Sequence, residues 1–203
     1  MNAQFNLAAG GPVPKVSQEY LNARRRGIVE AARAVFAERG FAATPMTAIV
    51  SASGLSTGTF YRYFPSKAAL VAEIVSGRDG TEGGTFPADE APGDLLRRLI
   101  SYVTPPGASA DHARLVVQIW AEASTSGELA AVAVSRHTSL RDHLAHLYAR
   151  ERQGGAGGEE PTAADRTRAE AALAALIGYA TLTAVDAPTD FTALGLEIVA
   201  AFS

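Results

Sequence analysis

The chain has 203 residues, a formal net charge of −3 at pH 7, an apolar fraction of 47% and a charged fraction of 19%. This length and composition suit one medium domain or two small ones, and they exclude a globally disordered protein. The sequence has no cysteine, which excludes disulfide frameworks, thiolate zinc sites and cysteine nucleophiles. It has no apolar run of about 18 residues and no basic segment before a hydrophobic start. We therefore expect a cytoplasmic protein with no membrane span and no signal peptide.

The charge is distributed unevenly along the chain. Residues 1–76 carry eight Lys and Arg against four Glu, a net +4, so the rest of the chain carries −7. A small basic part on a larger acidic body favours contact between the basic part and a polyanion.

Helical periodicity predicts an all-α fold, beginning after a flexible tail over residues 1–16. An apolar stripe predicts a first helix from about Ser17 to Arg39, ended by Gly40. Thr44 and Pro45 are typical of an N-cap and a first helical residue, so they predict a short second helix. Ser and Gly or Pro at their ends delimit two further helices. The second to fourth helices are predicted at about 45–53, 57–64 and 67–76.

The second part of the chain is also predicted to be helical. Residues 77–93 are rich in Gly, Thr, Asp and Pro and are predicted to be a linker between residues 17–76 and residues 94–203. A Gly-rich stretch at 154–158 follows a helix and has no Lys-Ser/Thr after it, so it is interpreted as a connection, not as a phosphate loop. The helices are predicted near 93–103, 111–125, 128–152, 163–185 and 190–202.

The most informative segment runs from Ala43 to Leu70. Two short helices joined by a tight turn at Gly54 form the helix-turn-helix pattern, in which the second helix enters the DNA major groove. That helix would be about 10 Å long at 1.5 Å per residue, which fits a groove about 12 Å wide.

The buried and exposed sides of this predicted recognition helix follow from its spacing. Phe60 and Phe64 are four residues apart and face inward. Hydroxyl groups on the other side suit phosphate oxygens, and Arg62 can reach the two acceptors of a guanine. Gly58 costs about 1 kcal/mol of helix propensity, and close approach to DNA would explain its presence. The outward residues are Thr57, Gly58, Thr59, Tyr61, Arg62 and Tyr63.

Other basic residues flank this helix. Lys67 lies in the first turn of the fourth helix, where the helix dipole disfavours a cation, and it is expected to reach past the helix end to a phosphate. Arg24, followed by Arg25 and Arg26, is expected to flank the duplex in the same way or to be an ordinary basic helix end.

These residues resemble the DNA-binding domain of the tetracycline-repressor (TetR) family over about 50 residues. The resemblance rests on Gly40-Phe41, Gly54-Leu55-Ser56, Phe60-Tyr61, Phe64, Ser66-Lys67 and Leu70. It implies an all-helical homodimer that binds a near-palindromic operator and represses until a small ligand enters the C-terminal domain. The family's phosphate-binding tyrosine falls on Tyr61 and its helix-four lysine on Lys67.

The family's frequent base-reading positions fall on Thr47, Thr57, Gly58 and Arg62. Two positions depart from the family pattern: Val50 replaces the usual alanine after Ile49, and Tyr63 replaces the usual histidine while keeping a hydrogen-bonding ring. The predicted contacts with double-stranded DNA are Arg24, Thr44, Thr47, Thr57, Gly58, Thr59, Tyr61, Arg62, Tyr63 and Lys67.

Residues 94–203 are predicted to bind a ligand, but no motif identifies it. Trp120 belongs to the apolar face of its predicted helix, and His137 interrupts the apolar face of the next one. Each of them is either a core residue or a pocket residue. Tyr148 and Tyr179 offer a ring with a polar tip, as small-molecule pockets use. These four residues are the predicted contacts with an unknown, mainly apolar effector. His143 and His146 lack a recurring carboxylate partner, so no metal site is expected.

The last two helices are apolar on more than one side. A helix of this kind needs cover on more than one side, and few intramolecular partners remain at the end of the chain. We therefore predict a homodimer through the last two helices, about residues 169–202.

Two other classes of protein were weighed. An all-helical enzyme would need a nucleophile or metal motif, and the sequence has neither Gly-x-Ser-x-Gly nor His-Glu-x-x-His. We therefore expect no enzyme, no catalytic residues and no cofactor. An interaction adaptor without DNA binding would be expected to have lost the charges at Arg62 and Lys67.

Overall fold

The computed structural model describes residues 17–76, 87, 90–104, 110–154 and 160–203, and these ranges contain helices and no strand. The predicted tail over 1–16 and most of the predicted linker lie outside the described residues. The helices are α1 (Gln18–Arg39), α2 (Met46–Ser53), α3 (Thr57–Tyr63), α4 (Lys67–Ser76), α5 (Pro92–Val103), α6 (Asp111–Ala123), α7 (Gly127–Arg152), α8 (Ala163–Ala184) and α9 (Phe191–Phe202).

The all-α prediction is confirmed, and most helix boundaries agree with the sequence signals to within two residues. Ser17, Ser56 and Ser66 each accept a hydrogen bond from the backbone N–H three residues later, as N-caps do. Gly54 has φ 67°, the left-handed conformation that allows the tight turn between α2 and α3. The helix α5 begins at Pro92, so the last two residues of the predicted linker belong to that helix.

Thr44 was wrongly predicted to cap α2. The helix begins at Met46, and its N-cap residue Pro45 makes no side-chain cap hydrogen bond. The Thr44 hydroxyl instead donates to the Gly40 carbonyl at 2.7 Å, and the residue is 1% exposed. The carbonyls at the end of α1 have no partner inside their own helix, and Thr44 supplies a donor for one carbonyl just past that end.

Two hydrophobic cores hold the helices. The first core joins α1 to α4 through Phe36, Ile49, Phe60 and Phe64, and it also includes Ile119 of α6. The second core joins α5 to α9 and includes Leu95, Leu96, Leu144 and Leu173. Because α6 contributes Ile119 to the first core and Ala113 to the second, residues 17–76 are packed directly on the C-terminal region.

Polar contacts cross the same boundary. The backbone N–H of Phe41, in the turn between α1 and α2, donates to Oε1 of Gln118 on α6 at 2.8 Å. The Ser66 hydroxyl donates to Oε1 of Glu128 on α7 at 2.7 Å. A displacement of α6 would therefore shift the turn before α2, and a displacement of α7 would shift the start of α4.

No helix in the described ranges combines the length and the apolar character that a membrane-spanning segment needs.

Candidate DNA-binding surface

The helix α3 is amphipathic, as predicted. Phe60 and Phe64 are both 0% exposed, and their ring centroids lie 6.4 Å apart in the first core. One anchored ring in this seven-residue helix and a second at its C-cap fix the rotation of the helix about its own axis. Thr57, Tyr61 and Arg62 therefore face away from the core, while Tyr63 packs against its edge.

The outward side of α3 presents hydroxyls and one arginine. Thr57, Tyr61 and Arg62 are exposed, whereas Thr59 and Tyr63 are half-buried. Outside α3, Thr47 is exposed on α2, the other helix of the pair.

Gly58 lies on the exposed side of α3. A Cβ atom added there would meet no atom within 4 Å, so packing inside the protein does not require glycine. The fold therefore does not explain why this position has no side chain. Close approach of another molecule to the backbone would explain it.

A polar groove runs between the N-terminal half of α1 and α3. Its volume is about 690 Å³, and its walls include Arg24, Thr59, Arg62 and Tyr63, four of the predicted DNA contacts. The hydroxyl of Tyr20 accepts a hydrogen bond from Arg24 Nε at 3.0 Å and raises the pKa of that guanidinium. The sequence-distant residues 24 and 62 are thus brought to one surface.

The three consecutive arginines of α1 have different surroundings. Arg24 and Arg26 are exposed. Arg25 turns inward: its guanidinium pairs with Glu73 at 2.9 Å and lies over the Phe64 ring, with 4.6 Å from Cζ to the centroid. Arg25 therefore joins α1 to α4 and fixes the end of α3, which the sequence did not indicate.

Two predicted DNA contacts have internal partners instead. Thr44 is buried with its hydroxyl bonded to Gly40, so it offers no group to a duplex. Lys67 does not reach past its helix: its Nζ donates to the Phe41 carbonyl at 2.5 Å and lies 4.0 Å from the centroid of the Phe41 ring. Burial lowers the pKa of Lys67, partly offset by the charge of Glu122. In this structure both side chains support the turn between α1 and α2.

A second candidate site lies inside the C-terminal region. A cavity of about 140 Å³ lies between side chains of α4 to α8 and is lined almost entirely by apolar groups. Trp120 and His137 both line it, with their rings perpendicular and 5.7 Å apart. The Nε2 atom of His137 lies 2.8 Å from Oε1 of Glu170.

The other two predicted ligand contacts lie elsewhere in the core. Tyr148 is 2% exposed, its hydroxyl donates to the Phe202 carbonyl at 2.6 Å, and burial raises its pKa to about 12. The Tyr179 hydroxyl lies 3.0 Å from Oγ1 of Thr104, and its ring packs against Phe191. Neither tyrosine lines the cavity, because both polar tips are bonded to neighbouring elements.

Sequence reasoning missed Arg136, which lines the same cavity. A signal was present in the sequence: Arg136 lies four residues from Val132 and from Leu140, so it interrupts an apolar stripe at helical spacing. In the part of the chain that the structure describes, no three His, Cys, Asp or Glu side chains come together to hold a metal ion.

The helix pair, its left-handed glycine turn and its polar outward face define the protein as a helix-turn-helix DNA-binding protein. Comparisons with known proteins agree. The sequence model described as bacterial regulatory proteins of the tetR family matches residues 28–74. The DNA-binding region of the chain is therefore similar to that of tetR-family transcriptional regulators.

Among similar proteins, the HTH-type regulator YfiR of Bacillus subtilis is 40% identical over 62 residues, 30% of each chain. UidR of Escherichia coli is 29% identical over 136 residues, 64% of this chain and 67% of that one. The chain thus spans 30% and 67% of these two relatives. The solved structure of Salmonella enterica GusR has a TM-score of 0.65 at 25% identity and covers 92% of this chain and 98% of its own. The fold likeness therefore extends through the C-terminal region.

Proposed function

We propose that the protein is a transcriptional repressor that binds a near-palindromic operator as a homodimer and releases it when a small, mainly apolar effector binds. The observation that carries the proposal is the outward side of α3, where Arg62 and hydroxyl groups surround a glycine that the fold does not need. Because an operator lies on the genome, we place the protein in the cytoplasm.

We assign the duplex contacts to two kinds of group. Arg62 reads a base edge, since a guanidinium matches the paired acceptors of guanine. Hydroxyls and Arg24 along the groove between α1 and α3 bind phosphates and set the register. The proposed contacts are Arg24, Thr47, Thr57, Gly58, Thr59, Tyr61, Arg62 and Tyr63.

This assignment is tested by binding to labelled duplexes, with the upstream region of the protein's own gene compared with a random duplex. We expect Arg62→Ala to lose about 1–3 kcal/mol on the cognate duplex and little on the random one. Arg97→Ala is the matched control, because Arg97 is an exposed arginine paired with Asp94 on α5. Unchanged binding of both duplexes by Arg62→Ala would refute the assignment.

The proposed dimer interface is an uncovered apolar stripe on α8 and α9. From Ala171 to Val185 the exposed small and apolar residues recur every three or four positions, and Ala164 lies seven positions before Ala171, which places them on one face. Leu182, Val185 and Leu196 are 40%, 67% and 63% exposed. A second copy of this chain would remove this surface from water. The stripe comprises Ala164, Ala171, Ala174, Gly178 and Leu182 of α8, its C-cap residue Val185, and Leu196 of α9.

Gly178 lies in the middle of this stripe and provides the test. A Cβ at this position meets nothing within 4 Å, so Gly178→Glu adds a charge without disturbing the monomer's packing. We expect Gly178→Glu to sediment as a monomer at micromolar concentration and to lose tight operator binding, because two reading heads about 34 Å apart are needed for one palindrome. Gly127→Glu, at another open glycine, is the control. A monomeric wild type would refute the proposal.

The effector is proposed to bind in the cavity and to act through α4 and α6. Val75 of α4 lines the cavity, while Lys67 at the start of the same helix holds Phe41. Ile119 and Trp120 of α6 also line it, and the preceding Gln118 holds the Phe41 N–H. A ligand that displaces either helix would move the turn before α2. A clean switch requires about 3–4 kcal/mol of differential affinity, because about 1.4 kcal/mol gives only a tenfold shift.

A thermal-shift screen followed by operator titration tests this step. We expect compounds that stabilise the protein to weaken operator binding. If every stabilising compound leaves operator affinity unchanged, the protein is a constitutive DNA binder.

A further inference from the structure

The cavity in the C-terminal region has one charged group in an apolar wall. Aromatic and aliphatic side chains from α4 to α8 form almost the whole lining, and Arg136 of α7 lies among them. Arg136 is half-buried, and this burial lowers the pKa of its guanidinium. A guanidinium remains protonated at neutral pH even so.

A guanidinium in an apolar wall is a favourable position for an anion, because its five N–H donors can serve more than one acceptor. The second polar group of the wall, His137, has its Nε2 atom on Glu170, whose side chain is 52% exposed. The guanidinium of Arg136 is the group of the lining best suited to an anion, because its planar fork matches a carboxylate.

The size of the cavity limits the rest of the ligand. A volume of about 140 Å³ is close to that of an engineered apolar cavity of about 150 Å³ that binds benzene. Tyr102 and Trp120 contribute aromatic rings to the wall, and aromatic rings favour a second ring in an offset or perpendicular arrangement. The space suits a single ring with a short chain.

We propose that the cavity binds a small aromatic carboxylic acid, with its ring among the apolar side chains and its carboxylate on the guanidinium of Arg136. This inference rests on the proposed function, in which the cavity is the effector site, and it specifies the class of effector. It distinguishes the effector from a neutral apolar compound of the same shape.

Trp120 makes the proposal measurable, since it is the only tryptophan in the sequence and lines the cavity. The full chain, without DNA, is titrated at neutral pH with 3-phenylpropionate and with its neutral amide, and Trp120 emission is followed. We expect the acid to bind about 10-fold more tightly or better, because a charge-assisted bidentate hydrogen bond is lost in the amide.

Three variants locate the preference. Arg136→Met should bind acid and amide alike, whereas Arg136→Lys, which keeps the charge in the same place, should retain a preference for the acid. Arg141→Gln is the control, because Arg141 lies on the same helix but pairs with Asp142 and does not line the cavity. Its preference should equal that of the wild type.

The proposal is overturned if the wild type binds the amide as tightly as the acid, or binds neither. It is also overturned if Arg136→Met or Arg141→Gln breaks the expected pattern. If Arg136→Met does not fold, Arg136→Lys provides the test. Loss of the preference for the acid in a folded Arg136→Lys variant would contradict the proposal. Operator binding is measured separately without any acid, so failure of the regulator function is distinguished from failure of this inference.

Discussion

The two regions of the molecule carry their functional groups on opposite sides of their helices. In residues 17–76, two buried rings anchor α3 and the polar groups face outward. In the C-terminal region, Trp120, Arg136 and His137 face inward onto a cavity. An outward functional face can be recognised by helical spacing, whereas an inward one resembles ordinary core. The predictions below test how far the two regions differ and how they are joined.

The first prediction separates the anchored side of α3 from its outward side. Phe60→Ala should destabilise the protein by about 3–5 kcal/mol, because it empties a fully buried position of the first core. Tyr61→Ala, at the neighbouring exposed position, should cost less than about 1 kcal/mol. Urea unfolding of both variants measures the difference. Equal losses would mean that α3 is not oriented as described.

The second prediction concerns acid sensitivity of the C-terminal region. Burial, the charge of Arg98 and that of His146 lower the pKa of His143 to about 4. Glu90 lies 3.4 Å from its ring but is already paired with Arg98 at 2.7 Å. The unfolded chain protonates this imidazole near pH 6.5 and the folded chain does not. Stability should therefore fall as pH drops from about 6.5 toward 4, by as much as ~3 kcal/mol.

Unfolding measured across this pH range, with His143→Phe as the comparison, checks the second prediction. The variant should lose less stability than the wild type between these limits. Parallel pH profiles for the two proteins would show that His143 does not cause the dependence.

The third prediction concerns the junction between the regions. Gln118→Leu removes the acceptor of the Phe41 N–H and should cost about 1–3 kcal/mol. Gln118→Glu keeps an acceptor and should cost less. Hydrogen exchange of the Phe41 amide should accelerate in the leucine variant only. The urea midpoint of each variant measures its loss of stability. Unchanged exchange would show that the turn before α2 does not depend on α6.

The fourth prediction concerns Lys67, whose contacts lie inside the protein. Lys67→Ala should leave the dependence of operator affinity on salt unchanged, although it weakens the support of the turn at Phe41. A lysine on a phosphate would contribute about 0.9 to the slope of log K against log salt. Arg24→Ala, at an exposed arginine of the groove, should show that loss. A reduced slope for Lys67→Ala would restore it as a phosphate contact.

The sequence predicted the helices well because caps and turns are local. Ser56 and Gly54 act on their immediate neighbours, so their chemistry is visible in a few residues. Thr44 and Lys67 were misplaced because each bonds to a backbone carbonyl in or next to the turn between α1 and α2. Nothing in the local sequence shows which carbonyl needs a donor.

Inside the C-terminal region, the sequence identified aromatic and polar residues but not their surroundings. Trp120 and His137 line the cavity, whereas Tyr148 and Tyr179 bond to other helices. These four have the same character in the sequence, and only the crossing of the helices distinguishes them. Arg136 was detectable by its place in an apolar stripe, yet its role depends on the cavity that the fold creates.

The central claim is that the outward side of α3 reads DNA sequence. Selection of duplexes from a random library by the purified full chain tests it most directly, with Arg62→Ala selected in parallel. We predict that the wild type enriches one near-palindromic sequence and that Arg62→Ala relaxes the same base position in each half of it. Failure of the wild type to enrich any sequence, or recovery of an identical sequence with Arg62→Ala, would contradict the claim.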